Sequence, residues 1–190
     1  MKKLIALLLV ACTLLCFSGC QSDPGQDYTQ ESWIYQHLGS VTYKVPESWG
    51  EPEYDSPVDG FESNVYHADT FWVDATFYET GKLTSAYENA QDYVNRNQEG
   101  YKEEYGNRSP AEMLDPVTID NQSAEHFCYK TRYDDPKDFT YTEVYAIDVE
   151  VPSYWYGKSG LFVLKFHSSD GDGLKENARK TADQIVESVV

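Results

Sequence analysis

Leu161-Phe162-Val163-Leu164 is apolar at successive positions. Neighbouring side chains of a strand point to opposite faces, so such a run has to be covered on both sides. A sheet with one face in water is thereby disfavoured, and this strand, read as Leu161 to His167, is expected at the centre of its sheet. Other segments alternate instead. Trp33 to Leu38, a break at Gly39-Ser40, and then Val41, Tyr43 and Val45 predict a hairpin ending at Pro46. Asn64 to His67 and Thr70 to Glu79 predict a second hairpin around Ala68-Asp69. Val117 to Ile119, Ala124 to Tyr133 and Phe139 to Val151 complete the strands, with Asp120-Asn121 and Asp134-Asp135-Pro136 as turn signals. The proline- and glycine-containing stretch 47–60 reads as loop.

Two segments have helical period. Ser85 with Glu88 forms a capping-box pattern, and Ala86, Ala90, Tyr93, Val94, Asn97, Tyr101 and Tyr105 follow at spacings of three or four, with Gly106 as a stop. Leu174, Ala178, Ala182, Ile185, Val186 and Val189 form a C-terminal stripe, with Glu176 and Lys180 spaced to pair on its outer side. Hairpins, a helix, a longer antiparallel run and a closing helix predict an α+β domain, with a predominantly antiparallel sheet and helices packed on its faces.

The chain begins differently. Met1-Lys2-Lys3 precedes an almost unbroken apolar run from Leu4 to Phe17, and Ser18-Gly19-Cys20 closes it. This has the order of a secretion signal. The apolar run is short for a bilayer span, which needs about 20 such residues. Residues 21–30 are rich in Gln, Ser, Asp, Pro and Gly, a linker composition. The whole chain has 32 acidic against 15 basic side chains, a formal charge of −17. That balance opposes the Lys and Arg density that phosphate binding requires, so nucleic acid is excluded as a partner class.

Phe17-Ser18-Gly19-Cys20 resembles the lipobox of bacterial lipoproteins, with Phe17 where an aliphatic residue is commonest. The resemblance implies a signal peptide over 1–19, lipid on Cys20, a flexible tether over 20–30 and a single domain over 31–190. A diacylglyceryl thioether carries two acyl chains, the number that stable anchoring needs, and an amide-linked acyl chain adds a third. The protein would then sit on the cell membrane facing away from the cytoplasm.

With Cys12 and Cys16 in the signal and Cys20 lipidated, only Cys128 remains in the domain, so no internal disulfide is expected. His126 and Cys128 fall on one face of a strand, but nothing nearby orients them as a nucleophile and base, and the bland reading of a small strand side chain is preferred. Nine acids occupy the interval between Lys44 and Lys82 without a basic residue, in no calcium-loop spacing. Asp170-Gly171-Asp172-Gly173 starts like a calcium loop, but Leu174 takes the next ligand position, so it reads as a turn and helix cap. No metal site or cofactor is assigned, and nothing among the many acids selects a catalytic pair.

Tyr43-Lys44-Val45-Pro46-Glu47-Ser48-Trp49, Leu83-Thr84-Ser85-Ala86 and Ala182-Asp183-Gln184-Ile185-Val186-Glu187-Ser188-Val189 together resemble the PsbP-like family. The resemblance implies an α/β/α sandwich and a non-enzymatic role in binding a protein partner or assisting its assembly. Tyr154, Trp155 and Tyr156 are consecutive large aromatics in a turn bounded by Pro152 and Gly157. Such side chains supply contact area at low entropic cost, which makes them the candidate partner- or ligand-binding residues. The alternative reading of this turn is sugar stacking, which would make the protein an extracytoplasmic glycan- or small-ligand-binding lipoprotein.

Overall fold

Phe162, Leu164 and Phe166 are buried in one cluster, while Leu161 and Val163 from the same strand are buried in another. The two clusters lie on opposite faces of one sheet, as the doubly apolar run requires. The computed structural model describes residues 25–55, 61–80, 86–103, 106–132, 139–151 and 158–190.

The strands are β1 (Trp33–Leu38), β2 (Val41–Pro46), β3 (Glu53–Asp55), β4 (Phe61–His67), β5 (Phe71–Glu79), β6 (Tyr101–Glu103), β7 (Gly106–Arg108), β8 (Glu112–Met113), β9 (Val117–Ile119), β10 (Gln122–Arg132), β11 (Phe139–Val151) and β12 (Lys158–Ser168). The helices are α1 (Ala90–Asn97) and α2 (Glu176–Glu187), with a 3-10 turn at Glu47–Trp49. The main sheet runs β3-β4-β5-β12-β11-β10-β7-β6, with β8 and β9 also paired to β10. Every pairing among the described residues is antiparallel. The described residues are thus mostly antiparallel sheet with two helices, an α+β arrangement, and β12 is an inner strand as expected. No helix among the described residues is long and apolar enough to cross a membrane.

The hairpin β1–β2 forms its own two-stranded sheet and packs with α2 over one face of the main sheet. Tyr43 and Val45 of β2 are buried there beside Ala182 and Ile185 of α2. Gly39 at the hairpin tip has φ +57°, and a Cβ at that position would stand 2.5 Å from the Phe77 ring. Both the backbone angle and the contact therefore call for glycine. Asp120 and Asn121 between β9 and β10 have φ of 45° and 62°. Successive positive φ values are the signature of a type I′ hairpin turn, which Asp and Asn tolerate better than other side-chain residues.

The second face is covered over part of its area by α1. Ala90, Tyr93 and Val94 pack on Phe127, Val144, Ala146, Leu161 and Val163. The helix expected from Ser85 to Tyr105 is corrected at both ends. Its N-cap is Asn89, whose side chain accepts from the Asp92 amide at 2.8 Å; Ser85 lies outside the described residues. It stops at Asn97 because Arg108 donates to the carbonyl oxygens of Asn97 and Glu99, each at 2.8 Å, and so takes up the free end of the helix. Tyr101 then pairs with Arg108 as part of β6.

Other expectations change as well. The loop 47–60 contains the 3-10 turn and β3, which pairs with β4. The Asp170 segment is a turn, with the Gly173 amide donating to the Asp170 carbonyl at 3.2 Å, but it does not cap α2, whose N-cap is Lys175. Residues 25–30 belong to the folded body rather than to the tether expected over 20–30. Tyr28 is 5% exposed and meets Trp49 edge-on at 5.5 Å, and Asn177 donates to the Gly25 carbonyl at 2.8 Å. An aromatic ring buried in this way holds its backbone down, which a linker composition cannot foretell.

Candidate functional site

The residues singled out for binding, Tyr154, Trp155 and Tyr156, lie outside the described residues, as does Cys20. The strands on either side of residues 152–157 in the chain are β11 and β12, paired from Tyr141 with Ser168 up to Val151 with Lys158. Within the described residues the chemistry-bearing side chains gather in two places, one on each face of the sheet.

On the hairpin face, the two-residue period of β11 points Tyr141, Glu143 and Tyr145 to the same side. Glu143 is 1% exposed. Its carboxylate accepts from Tyr141 at 2.9 Å, from Tyr145 at 2.7 Å and from His126 Nε2 at 3.0 Å. Arg179 of α2 closes the set by donating from both terminal nitrogens, one to each carboxylate oxygen. This forked geometry suits a guanidinium and a carboxylate. Burial works to raise the Glu143 carboxyl, but the bonds from Arg179, His126 and Tyr145 outweigh it and hold the group far below the carboxylate range. Burial and the Glu143 charge push the Tyr141 and Tyr145 hydroxyls well above the ordinary tyrosine value.

His126 is tied at both ring nitrogens. Nδ1 faces the Asp115 carbonyl oxygen at 2.8 Å, Nε2 faces Glu143, and the ring stacks on Tyr145 at 4.2 Å. Cys128 does lie on the His126 side of β10, but it is buried, and burial pushes its thiol up. His126 is committed to Glu143, so the pair forms no nucleophile and base.

On the α1 face, His167 of β12 bridges its neighbours on both sides. Nε2 meets Asp74 Oδ2 of β5 at 3.1 Å, and Nδ1 meets Thr142 Oγ1 of β11 at 3.0 Å. Trp72 stacks on the ring at 4.7 Å. Burial raises the Asp74 carboxyl, yet the His167 bond and the charges of His167, Lys165 and His67 bring it below its ordinary value. Carboxylate, imidazole and hydroxyl in series have the composition of a hydrolytic relay. Here the hydroxyl is the wrong one for that use, because Thr142 is 1% exposed and its oxygen faces the sheet's own side chains. The series ties three adjacent strands together.

Asp74, one of the nine acids read as solvated surface, is therefore a half-buried structural partner. Among the described residues no three His, Cys, Asp or Glu side chains gather as a metal site. Sequence reasoning missed Glu143 and Arg179. The available signal was the Tyr-x-Glu-x-Tyr alternation, which puts an acid among aromatics on what is otherwise a buried face. No family model matches the chain, and no curated protein matches it significantly.

Proposed function

We propose that the protein is a lipid-anchored, extracytoplasmic membrane protein whose PsbP-like domain works as a non-catalytic binding or assembly module for a protein partner. The address rests on the signal-like start and on Cys20 at its end. One observation carries the non-catalytic reading: the described acid, base and thiol groups best placed for chemistry are engaged in holding the fold. Glu143 accepts from four side chains, His167 bridges Asp74 and Thr142, and Cys128 is buried. A catalytic group needs a free valence toward substrate, and these have none to offer.

The contact residues of the module are Tyr154, Trp155 and Tyr156. The test is cross-linking of the full-length protein in its native membranes, followed by affinity capture and mass spectrometry beside a Trp155→Ala control. A stoichiometric protein lost in the control supports the module and its aromatic turn. A protein-free but glycan-bearing capture would replace it with the sugar-binding reading. For the anchor, Cys20→Ala should abolish lipid modification; wild-type protein carrying no lipid at residue 20 overturns the address.

A further inference from the structure

Edge strands present unpaired backbone groups, and folded proteins protect them with charge, proline, shortness or a covering segment. Most strand margins here follow that rule. The outermost strands of the main sheet, β3 and β6, have only three residues each and include charged ones. The margin of β2 is covered by the C-terminus: the Thr42 amide donates to the Val190 carbonyl and the Val190 amide to the Thr42 carbonyl, both at 2.9 Å, while the Lys44 amide donates to Ser188 Oγ at 2.8 Å.

Among the described residues, the outer margin of β1 has none of these devices. Trp33-Ile34-Tyr35-Gln36-His37-Leu38 is six residues long, without acid, lysine, arginine or proline. Its hydrogen-bonding phase follows from β2. Thr42 directs both backbone groups outward to Val190, so it occupies a non-hydrogen-bonded position of the β1–β2 ladder, and so does His37 opposite it. By alternation Trp33 and Tyr35 share that phase, which the bond from the Glu47 amide to the Ser32 carbonyl confirms from the other end. The N–H and C=O groups of Trp33, Tyr35 and His37 therefore point away from β2, and no described residue bonds to them. Tyr35 is 62% exposed and His37 is exposed, while Leu38 and Ile34 fasten the strand to the core.

We propose that this margin receives an extended segment of a protein partner as an added β-strand, uncharged across its middle and basic at its ends. A row of alternating outward donors and acceptors is matched by another extended backbone. The ends follow from charge: Glu47 lies beside the start of β1, and Glu62 accepts from the Gly39 amide at 3.1 Å beyond its end. A second copy is the poorer occupant, because each copy carries −17 and like charges oppose contact. The inference rests on the protein-binding reading for the existence of a partner, and it names a place and a chemistry that reading lacks.

The probe is a short labelled peptide of alternating threonine and valine with a pair of lysines at each end, added to the full-length protein. Affinity that comes from main-chain pairing and end charge does not need the natural sequence. The lysine-ended peptide should bind roughly tenfold more tightly than its glutamate-ended counterpart and slow amide exchange at Trp33, Tyr35 and His37. Tyr35→Pro removes one outward N–H without touching a β1–β2 bond and should cost at least about tenfold in binding. Tyr35→Lys, which keeps the backbone and adds a repelling charge, should weaken the same probe should the proline variant fail to fold. Absence of binding, unchanged exchange at those amides, or equal binding by both folded variants overturns the proposal. Protection of the same amides in a concentration-dependent dimer without peptide overturns it in favour of a second copy. The native-membrane capture above fails independently: a partner retained by Tyr35→Pro and lost by Trp155→Ala removes the edge and leaves the module standing.

Discussion

Each face of the sheet holds a carboxylate bound to an imidazole, and the two ties differ in what surrounds them. Glu143 lies under α2, fully buried, with a bidentate guanidinium and two tyrosine hydroxyls besides His126. Among the described residues, Asp74 has His167 alone as a hydrogen-bonding side chain, and its own side chain keeps 25% exposure. Similar chemistry thus carries different energetic weight. A sealed charge has no water to fall back on when a partner is removed, whereas a half-open one is resolvated.

The sharpest way to test that contrast is to take Arg179 away. Arg179→Ala should cost about 3 kcal/mol in denaturant unfolding, the lower end for a stripped buried charge, because the 37% exposure of the arginine lets water reach the vacancy. Replacing both partners, Glu143→Leu with Arg179→Met, should restore most of that loss. A cost under about 1 kcal/mol for the single change would mean that the tie is no better sealed than a surface pair.

Acid titration separates the faces next. Both carboxyls are depressed in the folded protein. Their contribution is therefore fully present above the unfolded carboxylate pKa of about 4, and it is lost as pH falls through the lower folded values. The melting temperature should be flat near neutrality and fall on the acid side, and Glu143→Gln should flatten that fall more than Asp74→Asn. Equal effects would erase the distinction. At neutral pH, Asp74→Asn should itself cost only about 1 kcal/mol in denaturant unfolding, since water reaches the site. Smallest of all, Lys180→Ala breaks the 2.8 Å pair with Glu176 on the outer side of α2 and should leave the melting temperature unchanged within error.

Much of the framework was legible because burial imposes a period on side chains. Both hairpins, the inner position of β12, the Asp120-Asn121 turn and the stripe of α2 follow from alternation, from positive-φ residues or from helical spacing. The failures also have physical causes. Tyr101 continues the spacing of α1 on paper, but Arg108 takes the helix end and β7 takes Tyr101, both from residues beyond the window that periodicity inspects. Tyr28 sits in linker-like sequence, yet its hydroxyl accepts from the Asp69 amide at 3.1 Å, a contact 41 residues away. Glu143 in mid-strand looks like a solvent-facing acid until Arg179 arrives from 36 residues further on.

By itself the sequence determined which segments extend or coil, that the sheet must be covered on both faces, and the acidic character of the whole, because each of these is a property of local pattern or of summed charge. It also carries a basic and then apolar start that closes at Cys20. Only the tertiary structure decided which carboxylates are sealed, where α1 stops and which strand margin the C-terminus covers. Those depend on pairs distant in the chain: the C-terminus bonds to Thr42 of β2, about 150 residues earlier, a pairing that no local pattern contains.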